Sequence, residues 1–259
     1  MILQCPHCHT NLTKQERTFV CKNNHSFDLA KSGYLNLFIN NQSKVHGDNK
    51  EMVLARSNFL SKNYYKILKD RLNQEIAKVN PITLCDLACG EGYYTTDMPV
   101  IHKIGIDLSK DAITYASKHD KSTQYIVASI FDCPIESESI DCMTTIFAPI
   151  AEEEIKRCLK PNGHFFCVFP AENHLYQLKE VIYDTPYKNE APNKLTTLEL
   201  METIRITTSI NINNNDDLKN LFMMTPYYFK TSLEDKEKIN CINDLDITID
   251  FYLMHYKKA

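Results

Sequence analysis

From Pro81 onward, short apolar runs alternate with stretches of helical spacing. The runs "ITLCDLA", "HKIGID", "TQYIVAS", "IDCMTTIF" and "HFFCVF" read as buried strands. Between them, "DAITYASKH" and "EEEIKRCL" read as helices, with Ser109 placed to cap the first. Such alternation predicts an α/β fold with a mainly parallel sheet wound on both faces. Gly163 marks a turn in "LKPNGHF", "DITIDFYLMHY" reads as one more strand near the end, and "SININNNDDLKN" as an asparagine-rich turn region. Ahead of Pro81, Tyr65, Leu68, Leu72, Ile76 and Val79 recur at helical spacing in a pattern that starts near Glu51. Residues 26–50 read as loop and turn, broken by Gly33 and Gly47. No internal repeat is present.

Length changes this picture little: 259 residues hold one large domain, or a medium domain with a small satellite. No apolar run is long enough to span a membrane, and the N-terminus has no basic segment followed by an apolar one. Ten cysteines are many. Several lie in strand-like apolar runs, where a reduced thiol acts as a small hydrophobe, so a reducing cytoplasm is expected. Charge is uneven. Residues 1–80 carry 12 Lys+Arg against 6 Asp+Glu, a balance of +6, and the remaining 17 and 27 give −10. A basic front half predicts a polyanion-facing N-terminal part, against the alternative of chance clustering on a solvated surface.

The stretch "CPHCHTNLTKQERTFVCKNNHSF" adds chemistry to that front half. Its spacing is Cys5-x2-Cys8-x12-Cys21-x3-His25. Two thiolates two residues apart share one ion on a tight turn, and a second pair on the next turn closes a tetrahedral shell. With four protein ligands and no open position, such a zinc ion is structural. A disulfide between Cys5 and Cys8 does not suit a reducing compartment. His7 and His9 are alternative ligands, and a cysteine-rich small core is the alternative to a metal.

The second chemical signal is "DLACGEG". The chain has only six glycines, and Gly90 and Gly92 sit where the first strand of the alternating region ends. A strand-to-helix turn exposes N–H groups that hold an anion. Asp107 ends the next strand, 21 residues after Asp86, where an acid reaches the hydroxyls of an adenosine ribose. The dinucleotide fingerprint G-x-G-x-x-G is absent. An acid, Asp86, precedes small residues at Ala88, Gly90 and Gly92. That character suits S-adenosylmethionine, whose ammonium needs a carboxylate or carbonyl and whose carboxylate suits a helix start.

The acidic glycine loop, the second-strand acid and "LKPNG" before the fifth strand resemble the class I methyltransferase fold, with Ala88 where the common loop has glycine. With the cysteine hook included, the resemblance narrows to the bacterial 23S rRNA (guanine-N1)-methyltransferases of the RlmA type. "CPHC…CKNNHSFDLAKSGYLNL", "GDNKEMVLARSNFL", "DLACGEGYYT", "IGIDLSK", "FAP" and "MMTPYYF" stand in that family's order over nearly the whole chain. The resemblance implies zinc at Cys5, Cys8, Cys21 and His25, and cofactor contacts at Gly90, Glu91, Tyr65 and His174. It implies a homodimer acting on a guanine in a hairpin of large-subunit RNA. The expected organisation is a zinc-binding module over 1–34, a helical connecting segment over 35–80 and a methyltransferase domain over 81–259. Guanine N1 lies on the Watson–Crick edge, so the target must be looped out or flipped. No catalytic base is identifiable, and "FAPI", Phe147 to Ile150, offers stacking by Phe147. Two other readings fit less of the chain: a small-molecule methyltransferase with a quinone-type acceptor, which leaves the hook unused, and a non-catalytic zinc RNA-binding adaptor, which leaves the intact loop unused.

Overall fold

The structure, a computed structural model, describes residues 2–39 and 47–259. The chain begins with a three-stranded antiparallel sheet of β1 (Leu12–Gln15), β2 (Thr18–Cys21) and β3 (Ser26–Asp28), followed by the two-residue β4 (Leu35–Asn36). Two helices follow, α1 (Lys50–Leu60) and α2 (Lys66–Val79). Then come β5 (Thr83–Leu87), β6 (His102–Asp107), α3 (Lys110–His119), β7 (Thr123–Val127), β8 (Ile140–Ile146), α4 (Glu152–Cys158), β9 (Leu159–Pro170) and α5 (Tyr176–Ile182). The chain closes with β10 (Glu199–Ile212), α6 (Asn215–Met223), α7 (Tyr227–Lys230), α8 (Leu233–Asn240) and β11 (Leu245–Lys257).

Eight strands form one sheet in the order β10-β11-β9-β8-β5-β6-β7-β4. The pairs from β9 through β4 are parallel, and β11 runs antiparallel to both neighbours. The expected mainly parallel sheet is present, and all five of its predicted strands and both predicted helices form. Ser109 caps α3 by accepting the Ala112 N–H at 3.0 Å. Strand alternation sorts the core onto two faces. β5 gives Cys85 and Leu87 to one cluster and Leu84 to the other.

Two local expectations give way, and one strand was not anticipated. β3 and β4 lie within the stretch read as loop over 26–50, whose residues 40–46 fall outside the described ones. The asparagine-rich region is not a turn throughout. Its first residues end β10, Asn214 caps α6, and only the junction turns. β10 itself went unread, although Ile204, Ile206, Ile210 and Ile212 alternate with polar residues as an edge strand requires.

The helical stretch set apart as a connecting segment packs directly on the sheet. Phe59, Leu60, Leu68, Leu72 and Ile76 share one cluster with Leu84, Phe166 and Val168. The N-terminal module is likewise docked. Leu3 bridges to Ile135, and the Gln4 N–H donates to the Pro134 carbonyl at 2.9 Å. β4 extends the sheet beyond β7, and Leu3, Leu12 and Phe19 join the same core as Cys85, Ile106 and Met143. On that face the module takes a place that a helix fills elsewhere in the sheet.

Candidate metal centre and cofactor cavity

Two knuckles bring Cys5, Cys8, Cys21 and His25 together, with all four ligand atoms within 4.8 Å of one another. The first knuckle is closed by the His9 N–H donating to the Cys5 carbonyl, and the second by the Asn24 N–H donating to the Cys21 carbonyl. His9 and Asn24 both take the left-handed conformation that such tight turns need. Cys8 Sγ lies 3.6 Å from Cys21 Sγ, and His25 Nδ1 lies 3.4 Å from Cys5 Sγ and 3.5 Å from Cys21 Sγ. A tetrahedral zinc ion sets such donors about 3.3–3.8 Å apart, the range of these three separations, so the four residues fit it once the wider pairs, up to 4.8 Å, close slightly. The Thr10 hydroxyl and backbone beside Cys8 pull its thiol down to about 5, toward the thiolate a metal needs. His7 and His9 stand outside the cluster, and the His7 ring packs against the His25 ring at 4.9 Å.

The second site is a cavity of about 620 Å³ at the carboxyl ends of β5, β6 and β8. β5 delivers Asp86, which accepts hydrogen bonds from the Thr95 hydroxyl at 2.5 Å and the Thr144 hydroxyl at 2.7 Å. Burial nevertheless pushes its carboxyl up to about 6. β6 delivers Asp107, whose two oxygens accept the Ser109 N–H at 2.7 Å and the Gly90 N–H at 2.9 Å. The second-strand acid therefore also shapes the glycine loop. Glu91 is 7% exposed, and burial pushes it up to about 7 although Arg56 is near.

The loop departs from expectation in two ways. No α-helix follows it; only a three-residue 3-10 turn forms at Thr95–Asp97. Pro99 and the early start of β6 leave no room for more, and the Thr96 hydroxyl turns back to the Gly92 carbonyl. The helix start expected to hold an anion is therefore missing. Gly92 lines no part of the cavity. At φ 85° it backs onto Tyr125, whose hydroxyl would lie 2.5 Å from an added Cβ, so packing explains this glycine. Ala88 is held at φ 56°, a conformation that costs an L-residue about 1–2 kcal/mol. Phe147 and Leu175 share this strain, and all three line the cavity.

Tyr65 and His174 meet in the lining of the same cavity. His174 Nδ1 accepts the Asp250 N–H at 3.3 Å, which leaves the proton on Nε2, facing Tyr65 Oη at 3.4 Å. Burial lowers His174 to about 3, so the ring is neutral at physiological pH. Asp250, in turn, is held by Arg205 through two hydrogen bonds. Tyr65 satisfies both of its readings: it is buried against Phe59 and Phe251, and it lines the cavity. Phe147 is 40% exposed, with its ring nearly parallel to that of His174 at 6.2 Å.

Reading the sequence residue by residue missed Arg56, Asp48, Tyr94 and Tyr227, all of which line the cavity. For Arg56 a signal was present. It falls on the helical stripe of Met52, Val53, Phe59 and Leu60, where an unpaired cation is out of place. Tyr94 Oη is buried with no hydrogen-bond partner, an orphan that a ligand would satisfy. Together with the Asp107 carboxylate, the orphan hydroxyl and the acid-lined loop fit the adenosine and the cationic groups of S-adenosylmethionine.

Comparison with known proteins bears on both sites. Residues 3–44 match a zinc-ribbon family model described as RlmA, N-terminal, and residues 78–225 match a model described as Methyltransferase domain. The 23S rRNA (guanine(748)-N(1))-methyltransferase of Streptomyces fradiae is 30% identical over 189 residues, covering 70% of this chain and 67% of that protein. YxjB of Bacillus subtilis (strain 168), named for guanine-N(1) methylation of 23S rRNA without a stated position, is 28% identical over 208 residues, 73% of each chain. The solved structure of the YcgJ protein from Bacillus subtilis superposes with a TM-score of 0.49 at 15% identity, covering 72% of this chain and 97% of that one. A zinc ribbon and an S-adenosylmethionine cavity built on one core, with a relative of this identity and coverage, place the chain in the RlmA-type 23S rRNA (guanine-N1)-methyltransferase family.

Proposed function

We propose that this chain transfers a methyl group from S-adenosylmethionine to N1 of a guanine in a hairpin of 23S rRNA, with one structural zinc per chain. The observation that carries this reading is the joining of a four-ligand zinc knuckle to an acid-lined cofactor cavity through one continuous core. When bound, the cofactor supplies an electrophilic sulfonium methyl. Asp107 would hold the ribose hydroxyls, and Asp86, Gly90 and Glu91 would line the rest of the cofactor's site, their carboxylates complementing its cationic groups. Tyr65 and His174 present fixed, neutral polar atoms to the same space. Phe147, Pro149, Phe169, Pro170 and Tyr227 add apolar and aromatic lining to the cavity, suited to gripping a flipped base by stacking and shape. Positioning is therefore the main contribution of these groups.

The zinc module supplies the grip on RNA. The basic front half is less free than its +6 balance suggests. Lys62, Lys66, Lys69, Arg71 and Lys78 all form ion pairs, and Arg17 donates to the Leu29 and Ala30 carbonyls. Lys14, Lys22 and Lys31 remain exposed on the module. A homodimer, a cytoplasmic location and the domain division at 34 and 80 belong to the same reading. The deciding experiment incubates the protein with methyl-labelled S-adenosylmethionine and 23S rRNA, then maps the product by reverse transcription, which N1-methylguanine arrests. Cofactor binding with no label in the rRNA would instead favour a small-molecule acceptor.

A further inference from the structure

We infer that Arg56 is the anchor for the carboxylate of the cofactor's amino-acid tail, an assignment that rests on the S-adenosylmethionine reading above. Among the described residues the cavity is lined by four carboxylates, Asp48, Asp86, Glu91 and Asp107, and by one guanidinium, that of Arg56. S-adenosylmethionine has the complementary distribution: two cationic centres, the sulfonium and the ammonium, and one carboxylate. The usual alternative for that carboxylate, the N-terminus of a helix after the glycine loop, is missing here, because only a three-residue turn follows.

The geometry of Arg56 suits the task. Its side chain is 23% exposed and lies over the loop, so that a Cβ on Gly90 would come within 3.4 Å of Nη1. Nη1 pairs with Asp48 and lies 3.6 Å from Glu91, which fixes the guanidinium from one side. Nε and Nη2 form no hydrogen bond to any described residue, although they are the edge that binds a carboxylate in bidentate fashion. A largely buried guanidinium with three of its five donors unused has desolvation to offset, and an incoming carboxylate would offset it.

The test is calorimetric titration of wild type, R56Q and R56K with S-adenosylmethionine and with its decarboxylated analogue, which keeps both cationic centres and lacks only the carboxylate. Wild type should prefer S-adenosylmethionine. R56Q should bind it roughly 10- to 100-fold more weakly, the loss expected for hydrogen bonds between charged groups. The analogue should bind R56Q as well as wild type or better, because a cation has left an acid-lined cavity. R56K keeps the charge without the fork, so it should show a smaller loss, again confined to S-adenosylmethionine. Equal losses for both ligands would reduce Arg56 to a support for the loop and overturn the assignment, as would unchanged affinity for S-adenosylmethionine in both variants. Wild type that binds neither ligand would remove the cofactor reading itself.

Discussion

The zinc knuckles and the cofactor cavity are built by opposite means. All four metal ligands lie within 21 residues, on two turns joined by a hairpin, and short-range backbone hydrogen bonds close both turns. The cavity instead draws Asp48 and Arg56 from the first helix and its approach, Asp86 to Glu91 from one strand end and Asp107 from the next. It also takes Phe147, His174 and Tyr227 from three more segments spread over 80 residues. The first site depends on local geometry and a metal; the second depends on the sheet being right. Their cores are nevertheless continuous, so the two should not fail independently.

Removing the metal is the strongest way to test that continuity. Cys21→Ser should lower zinc content from about one per chain, and the loss should appear as a lower midpoint of the main unfolding transition, because Leu3, Leu12 and Phe19 share the sheet's core. A separate early transition with the main one unmoved would show the module to be an independent unit. Within the cavity, Asp107→Asn keeps the shape and removes the charge. Two charge-assisted hydrogen bonds to ribose, each worth about 1.5–3 kcal/mol, should weaken and raise the cofactor Kd at least tenfold, while far-ultraviolet circular dichroism stays unchanged.

Proton linkage separates the two regions further. Asp86 and Glu91 are raised to about 6 and about 7 by burial, with Asp107, Asp48 and Arg56 around them. Their contribution to stability of the free protein is fully present below their unfolded values, near 4, and is lost as pH rises through about 6 to 7. Cofactor binding has the opposite sign, since a cationic ligand favours the ionised acids. Affinity should rise severalfold between about pH 5.5 and 7.5, with protons released on binding, as titrations in buffers of different ionisation enthalpy would show. A flat profile would mean the cation rests against other groups.

Smaller effects are expected on the module surface. Replacing Lys14, Lys22 and Lys31 with alanine should weaken rRNA binding and flatten its salt dependence by roughly 0.7–0.9 per lost phosphate contact, with cofactor affinity unchanged. Arg17 belongs outside that set, because its guanidinium holds two carbonyls and its loss would loosen the module. Wild-type salt dependence in the triple variant would move the RNA grip elsewhere. The smallest change is Ala88→Gly. Relief of the left-handed strain, about 1–2 kcal/mol, is partly cancelled by the freedom glycine adds to the unfolded chain, about 0.4–1 kcal/mol. A net gain below about 1.5 kcal/mol should appear in chemical denaturation; a loss would mean the Ala88 methyl packs against something the strain sustains.

The sequence by itself determined what is local or periodic. Spacing gave the four metal ligands, because knuckles are made by residues near one another in the chain. Alternation gave β5 through β9, since strands buried on both faces must be apolar along their length. The acids Asp86 and Asp107 were legible because strand ends are legible. Tertiary structure decided the rest. Pro99 and the closeness of β6 suppressed the helix after the loop, and with it the expected anion site. Gly92 turned from the cavity to Tyr125, because a glycine's partner is set by whatever packs on it. Arg56 read as one more charge on a helix until α1 folded over the loop and buried it among carboxylates 8 residues before it and 35 and 51 residues after it. Its role depends on long-range placement, and no pattern along a single segment encodes that.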